Sequence, residues 1–120
     1  MEDRKILKSG EFLVNGIGPD DIFIPEEFDE EQKMIAQTCR DFLETEVYPK
    51  MDALEKTDRE LMKSILKKSG ELGLMGIAVP EEYGGFGQSF VTQMLMAETT
   101  GAGYSFSVAL MAHCGIGTMP

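Results

Sequence analysis

The chain has 120 residues, 42% of them apolar, and a formal net charge of −10. That length holds one small domain with a limited core. The acidic balance argues against nucleic acid, whose phosphates require clustered Lys and Arg. The opening MEDRKILKSGEF has no apolar run and carries acids early, so neither a secretory signal nor a transit peptide is expected. Cys39 and Cys114 are too far apart in sequence for a zinc knuckle or a disulfide framework. Buried thiols in a reducing, cytoplasmic compartment are the expectation.

Residues 1–27 differ in character from the rest and are expected to form an N-terminal extension. Glu11-Phe12-Leu13-Val14 and Ile22-Phe23-Ile24 are short apolar runs separated by Asn15-Gly16 and Gly18-Pro19-Asp20. Asn-Gly supplies the positive φ of a tight turn, which predicts an extended arm or short β-ribbon. From Asp29 the pattern becomes helical. Asp29 with Gln32 three residues on makes a capping box, and Glu30 and Glu31 suit the positive end of the helix dipole. Met34, Ile35, Cys39, Phe42, Leu43 and Val47 then form an apolar stripe. Pro49 is expected to end or kink this helix near Tyr48.

A second box, Thr57 with Glu60, predicts another helix whose stripe is Leu61, Met62, Ile65, Leu66 and Leu72, with Gly73 as its left-handed cap. A loop over residues 74–87 follows, rich in Pro, Glu and Gly. Ser89 is the expected cap of a third helix bearing Phe90, Val91, Met94, Leu95 and Ala97. Gly101-Ala102-Gly103 breaks it, and a fourth helix is predicted from about Tyr104 to Gly115. Residues 99–120 contain no Asp, Glu, Lys or Arg. A helix apolar on nearly all sides is expected to be buried on nearly all sides, although its glycines and serines dilute it below a lipid-facing span. About four helices, mostly antiparallel neighbours, predict an all-α, up-and-down, bundle-like domain.

Little in these residues carries chemistry alone. His113 is the only histidine, so a histidine-based metal cluster is ruled out; a lone histidine on an apolar face reads first as a hydrogen-bonded core residue. Gly84-Gly85-Phe86-Gly87 lacks the spacing and the Lys-Ser/Thr of a phosphate loop. Glu81 and Glu82 are adjacent, and consecutive side chains in a turn diverge rather than pair as acid and base. Ser105 and Ser107 have no nucleophile elbow. The remaining functional surface is the fourth helix, where Val108, Ala112 and Ile116 recur at four-residue intervals with His113 beside them. Small Ala109 and Ala112 among larger side chains leave a groove that admits an alkyl chain; packing against a following domain is the alternative.

Phe28-Asp29-Glu30-Glu31-Gln32, Glu71-Leu72-Gly73-Leu74, Val79-Pro80-Glu81-Glu82-Tyr83-Gly84-Gly85 and a closing His113-x3-Gly117-x2-Pro120 stand in this order. The pattern resembles the N-terminal helical domain of acyl-CoA dehydrogenases over residues 28–120, with the Pro-Glu-Glu-Tyr-Gly-Gly turn its most specific element. The preceding arm looks like the extension of some long-chain-type members.

The resemblance implies a longer flavoenzyme that oxidises fatty acyl-CoA to trans-2-enoyl-CoA, passes electrons to an electron-transfer flavoprotein, and assembles as an oligomer. It implies that FAD and the catalytic glutamate belong mainly to middle β and C-terminal helical domains beyond these residues. No glutamate here takes the catalytic role, and the segment alone is not expected to hold FAD. It further implies that Val108, Ala112, His113 and Ile116 form one wall of the acyl-chain cavity, with Ala112 favouring medium-to-long chains. Acyl-CoA oxidases and flavin monooxygenases share the domain, and a free-standing acidic helical interaction module is the reading from another class.

Overall fold

The computed structural model describes residue 7, residues 10–21 and residues 23–118. It is built from helices α1 (Glu11–Val14), α2 (Glu30–Phe42), α3 (Met51–Glu55), α4 (Arg59–Glu71), α5 (Phe90–Thr100) and α6 (Ser105–Ala112). No strand occurs among the described residues, so the all-α expectation holds and the β-ribbon does not. Gly10, at φ 86°, instead feeds the single turn of α1, and 3₁₀ turns follow at Pro19–Asp21 and Pro25–Glu27. Prolines with φ preset near −65° favour such turns, and an isolated two-stranded ribbon gains too little to compete. Ile22 of the expected second strand lies outside the described residues.

α2 starts as its capping box dictates. The Asp29 carboxylate accepts from the Gln32 N–H at 2.8 Å, and the Gln32 side chain accepts from the Asp29 N–H at 3.1 Å. The Gln32 amide also donates to Thr92 Oγ1 at the start of α5, 3.2 Å away. Asp29→Ala should therefore cost about 1 kcal/mol, measured as a lowered urea midpoint with an unchanged slope.

Beyond Phe42 the helix widens into a π turn, Leu43–Val47, then tightens into a 3₁₀ turn at Tyr48–Lys50 before α3. Pro49 has no N–H to donate and would clash with the carbonyl four residues back in an unbroken α-helix, so the regular helix does not continue through Tyr48–Lys50, as expected. Glu46 in this turn accepts from both Lys50 and Lys68 at 2.7 Å, tying it to α4. Those two hydrogen bonds hold the Glu46 carboxyl below its usual range. The stabilisation they give is complete at neutral pH and lost as pH falls through that lowered value.

α4 begins one residue later than its predicted box. Asp58, not Thr57, accepts from the Leu61 N–H at 3.0 Å, and Thr57 instead takes a left-handed φ of 67° in the turn. Asp outcompetes Thr because its ionised carboxylate meets both the bare amide and the helix dipole. Gly73 at φ 83° and Ser89, accepting from the Thr92 N–H at 3.3 Å, end α4 and start α5 as the sequence predicts.

The core joins Cys39, Phe42, Leu43 and Val47 to Leu54, Ile65, Leu74, Ile77, Met96, Phe106 and Leu110. α2 packs along α5, and α6 touches α3, α4 and α5. Gln32 meets Thr92 at the start of both α2 and α5, and Leu43 lies against Gly103 just past their ends. α2 and α5 therefore run in the same direction, as the first and third of four alternating helices do. The intervening α3, α4 and loop make a crossover long enough to return the chain to the same end.

Cys39 is fully buried, and burial pushes its thiol up to about 11 despite neighbouring Arg40. Burial also raises the half-buried Cys114. At pH 8 Cys39 should alkylate about a hundredfold or more slower than in guanidinium, since the thiolate is the reacting species. Timed iodoacetamide labelling with peptide mapping checks this.

Candidate functional site: the exposed face of α6

α6 is split lengthwise by its packing. Phe106, Ser107 and Leu110 point inward, with the Phe106 ring 5.7 Å from that of Phe42. The Ser107 hydroxyl donates to the Thr100 carbonyl, closing the turn between α5 and α6. The opposite face is open. Val108 is 71% exposed and Ile116 87%, with Ala112 and His113 also exposed. An uncharged helix is thus covered on one side and open on the other among the described residues.

The start of α6 is unusual. Tyr104 has φ 49° and ψ −119°, a conformation glycine adopts freely and a tyrosine does not. Its side chain caps nothing. Instead the carboxylate of Glu55, at the end of α3, accepts from the Ser105 N–H at 3.0 Å and from the Ser105 hydroxyl at 2.9 Å. Sequence reading missed Glu55, and no local pattern marks a cap supplied from fifty residues away.

Val108 and Ala112 share a shallow concavity of about 670 Å³ with Ala109, Tyr104, Ser105 and Glu55. His113 and Ile116 do not line it. They belong to the π turn His113–Gly117 that ends α6, where Thr118 Oγ1 donates to the His113 carbonyl at 2.6 Å. His113 is therefore exposed and is not the hydrogen-bonded core residue the sequence first suggests. On the other side of that turn Cys114 Sγ sits 4.0 Å from the Leu74 carbonyl and 3.9 Å from that of Met75. There a second concavity of about 250 Å³ lies among Met94, Met96, Met111 and Cys114.

A third, of about 160 Å³, lies between α2 and the Gly-rich loop, lined by Met34, Ile35, Leu72 and Phe86. The loop itself is not a phosphate cradle. The N–H groups of Gly84, Gly85, Phe86, Gly87 and Gln88 donate to the carbonyls of Glu81, Pro80, Gly76, Val79 and Ile77 respectively. An anion needs free N–H groups, and these are spent. Glu81 and Glu82 are exposed. Among the described residues no group of three or more His, Cys, Asp or Glu is placed to hold a metal ion. What the site offers is an open apolar face beside a carboxylate-pinned helix start.

Residues 29–120 match the family described as "Acyl-CoA dehydrogenase, N-terminal domain". The chain belongs to the acyl-CoA dehydrogenase family. A "Probable acyl-CoA dehydrogenase" of Bacillus subtilis is 43% identical over 115 residues, covering 96% of this chain and 19% of that relative. The mitochondrial short-chain specific acyl-CoA dehydrogenase of Bos taurus is 36% identical over 86 residues, 72% of this chain and 21% of that protein. The crystal structure of an acyl-CoA dehydrogenase complexed with FAD from Bacillus anthracis superposes with a TM-score of 0.86 at 44% identity. That match covers 92% of this chain and 19% of the other. The chain thus spans about a fifth of the length of these acyl-CoA dehydrogenases.

Proposed function

We propose that this chain is the N-terminal domain of an FAD-dependent dehydrogenase that converts fatty acyl-CoA to trans-2-enoyl-CoA, and that α6 supplies one wall of its acyl-chain cavity. In this reading residues 1–27 are an extension, residues 28–120 are the helical domain, and a middle β-domain follows. The carrying observation is the open, uncharged face of α6, with Val108 71% exposed, in a chain of this family. An alkyl chain laid on Val108 and Ala112 removes apolar surface from water on both partners, at about 25 cal/mol per Å². His113 and Ile116 extend the wall past the end of α6.

The proposed flavin site lies mainly outside these residues, whose buried polar side-chain atoms already have hydrogen-bond partners. FAD, when bound elsewhere in the protein, supplies the acceptor for the substrate's hydrogen. The residues here orient the acyl tail and exclude water; the proton-abstracting carboxylate lies outside them. Electron-transfer flavoprotein is the proposed electron acceptor, the proposed assembly is a homo-oligomer, and the proposed compartment is the cytoplasm. No helix among the described residues is long and apolar enough to cross a membrane.

The test is an anaerobic absorbance titration of the full-length protein with a long-chain acyl-CoA. Bleaching of the flavin band that persists until an external electron carrier is added supports a dehydrogenase. Bleaching that reverses in air with stoichiometric hydrogen peroxide identifies an oxidase instead. A protein without flavin would sink the proposal and leave a helical interaction module.

A further inference from the structure

We infer that Glu55 is a positioning residue for the acyl chain, seating the α6 wall through its two-oxygen grip on Ser105; this rests on the wall reading above. The two non-glycine residues with positive φ among those described are Thr57, at 67°, and Tyr104, at 49°. They flank the Glu55–Ser105 contact, two residues after the carboxylate and one before its partner. Such conformations persist only where the surroundings over-determine them. On the core side the segment has no slack. A Cβ on Gly103 would stand 2.7 Å from Ser107 Oγ and 3.0 Å from Leu43 Cδ2. The start of α6 is thus pressed against the core at Gly103 and drawn toward α3 at Ser105.

The carboxylate also occupies the place of the missing cap. It satisfies the Ser105 N–H, which Tyr104 leaves bare, and it puts negative charge at the positive end of α6. Val108 and Ala112 follow Ser105 by one and two turns, so any tilt at Ser105 displaces the surface the alkyl chain touches. Glu55 itself need not touch that chain. The carboxylate acts on the substrate through the helix.

The test compares Glu55→Ala, Glu55→Gln and Ser105→Ala in the full-length enzyme across acyl-CoA chain lengths. Glu55→Ala should raise KM for long chains about three- to tenfold, with kcat within about twofold and butyryl-CoA kinetics unchanged. Glu55→Gln keeps an acceptor for the N–H and gives the Ser105 oxygen a donor, so it should restore the wild-type profile. Ser105→Ala should give an intermediate KM shift and add nothing when combined with Glu55→Ala.

A flat profile in both Glu55→Ala and Ser105→Ala overturns the inference, as does an equal loss at every chain length, which marks mere destabilisation. If Glu55→Ala does not accumulate, Ser105→Ala decides by the same criteria. Amide hydrogen exchange separates this inference from the wall reading. Faster exchange over residues 105–108 in Glu55→Ala, with an unchanged chain-length profile after Ala112→Phe, keeps the clamp and removes the wall. Unchanged exchange removes the clamp.

Discussion

Gly85→Ala is expected to cost at least about 3 kcal/mol, the largest loss for the smallest change this chain offers. A Cβ built at Gly85 stands 2.1 Å from the Val79 carbonyl oxygen and 2.4 Å from Val79 Cβ. Neither atom is the free end of a flexible side chain. The Val79 carbonyl is held by the Gly87 N–H at 2.8 Å, while Gly85 and Phe86 donate to Pro80 and Gly76 at 3.2 and 3.0 Å. Accommodating one methyl group therefore means opening several backbone hydrogen bonds and disturbing the loop's own buried members Ile77 and Leu74, which are 5% and 3% exposed. A domain whose whole stability is about 5–15 kcal/mol feels that strongly.

Gly101→Ala is the matched control. Its φ of −54° and ψ of −32° are helical, and nothing lies within 4 Å of the added Cβ. It should be neutral or stabilise by up to about 1 kcal/mol by restricting the unfolded chain. Denaturant midpoints of the two variants check the pair, and a Gly85→Ala protein as stable as the parent would refute the loop geometry.

The same contrast explains how much of the molecule was legible in its sequence. Features set within three or four residues read correctly: the Asp29–Gln32 box, the left-handed Gly73, the Ser89 cap and the break at Gly101–Gly103. The core members Cys39, Phe42, Leu43, Val47 and Ile65 also follow from periodicity. Met34 belongs to the same stripe yet is 63% exposed, because a stripe states which face is apolar and not what covers it. Thr57 and Asp58 are both competent caps, and the choice between them turned on charge and backbone conformation rather than on pattern. The Gln32–Thr92 contact that sets α2 beside α5 and the Glu55–Ser105 clamp depend on residues far apart in sequence. No local rule encodes those. Of the four residues proposed for the wall, Val108 and Ala112 come together in one concavity, while His113 and Ile116 fall on the π turn that local spacing does not announce.

Ala112→Phe in the full-length enzyme should shorten the preferred acyl chain and cut kcat/KM for long substrates by nearly two decades. Ala112 sits two turns into α6, exposed, and lines the shallow concavity with Val108 and Ala109. A benzyl group there takes the place of about three methylenes of the alkyl tail. Each buried CH₂ contributes about 0.8 kcal/mol, so roughly 2.4 kcal/mol of binding is displaced. At 1.4 kcal/mol per decade this is a loss of about fiftyfold for chains long enough to reach the wall.

Short chains that stop before Ala112 keep their full contact area and should keep their kcat/KM. The fold should tolerate the change, because the position is exposed and the helix-propensity difference between Ala and Phe is below about 0.7 kcal/mol. The loss should therefore grow with chain length and then level off once the tail passes residue 112. A uniform fall across all chain lengths would mean a damaged protein. An unchanged profile would mean that α6 faces protein rather than substrate, and the wall would have to be sought elsewhere.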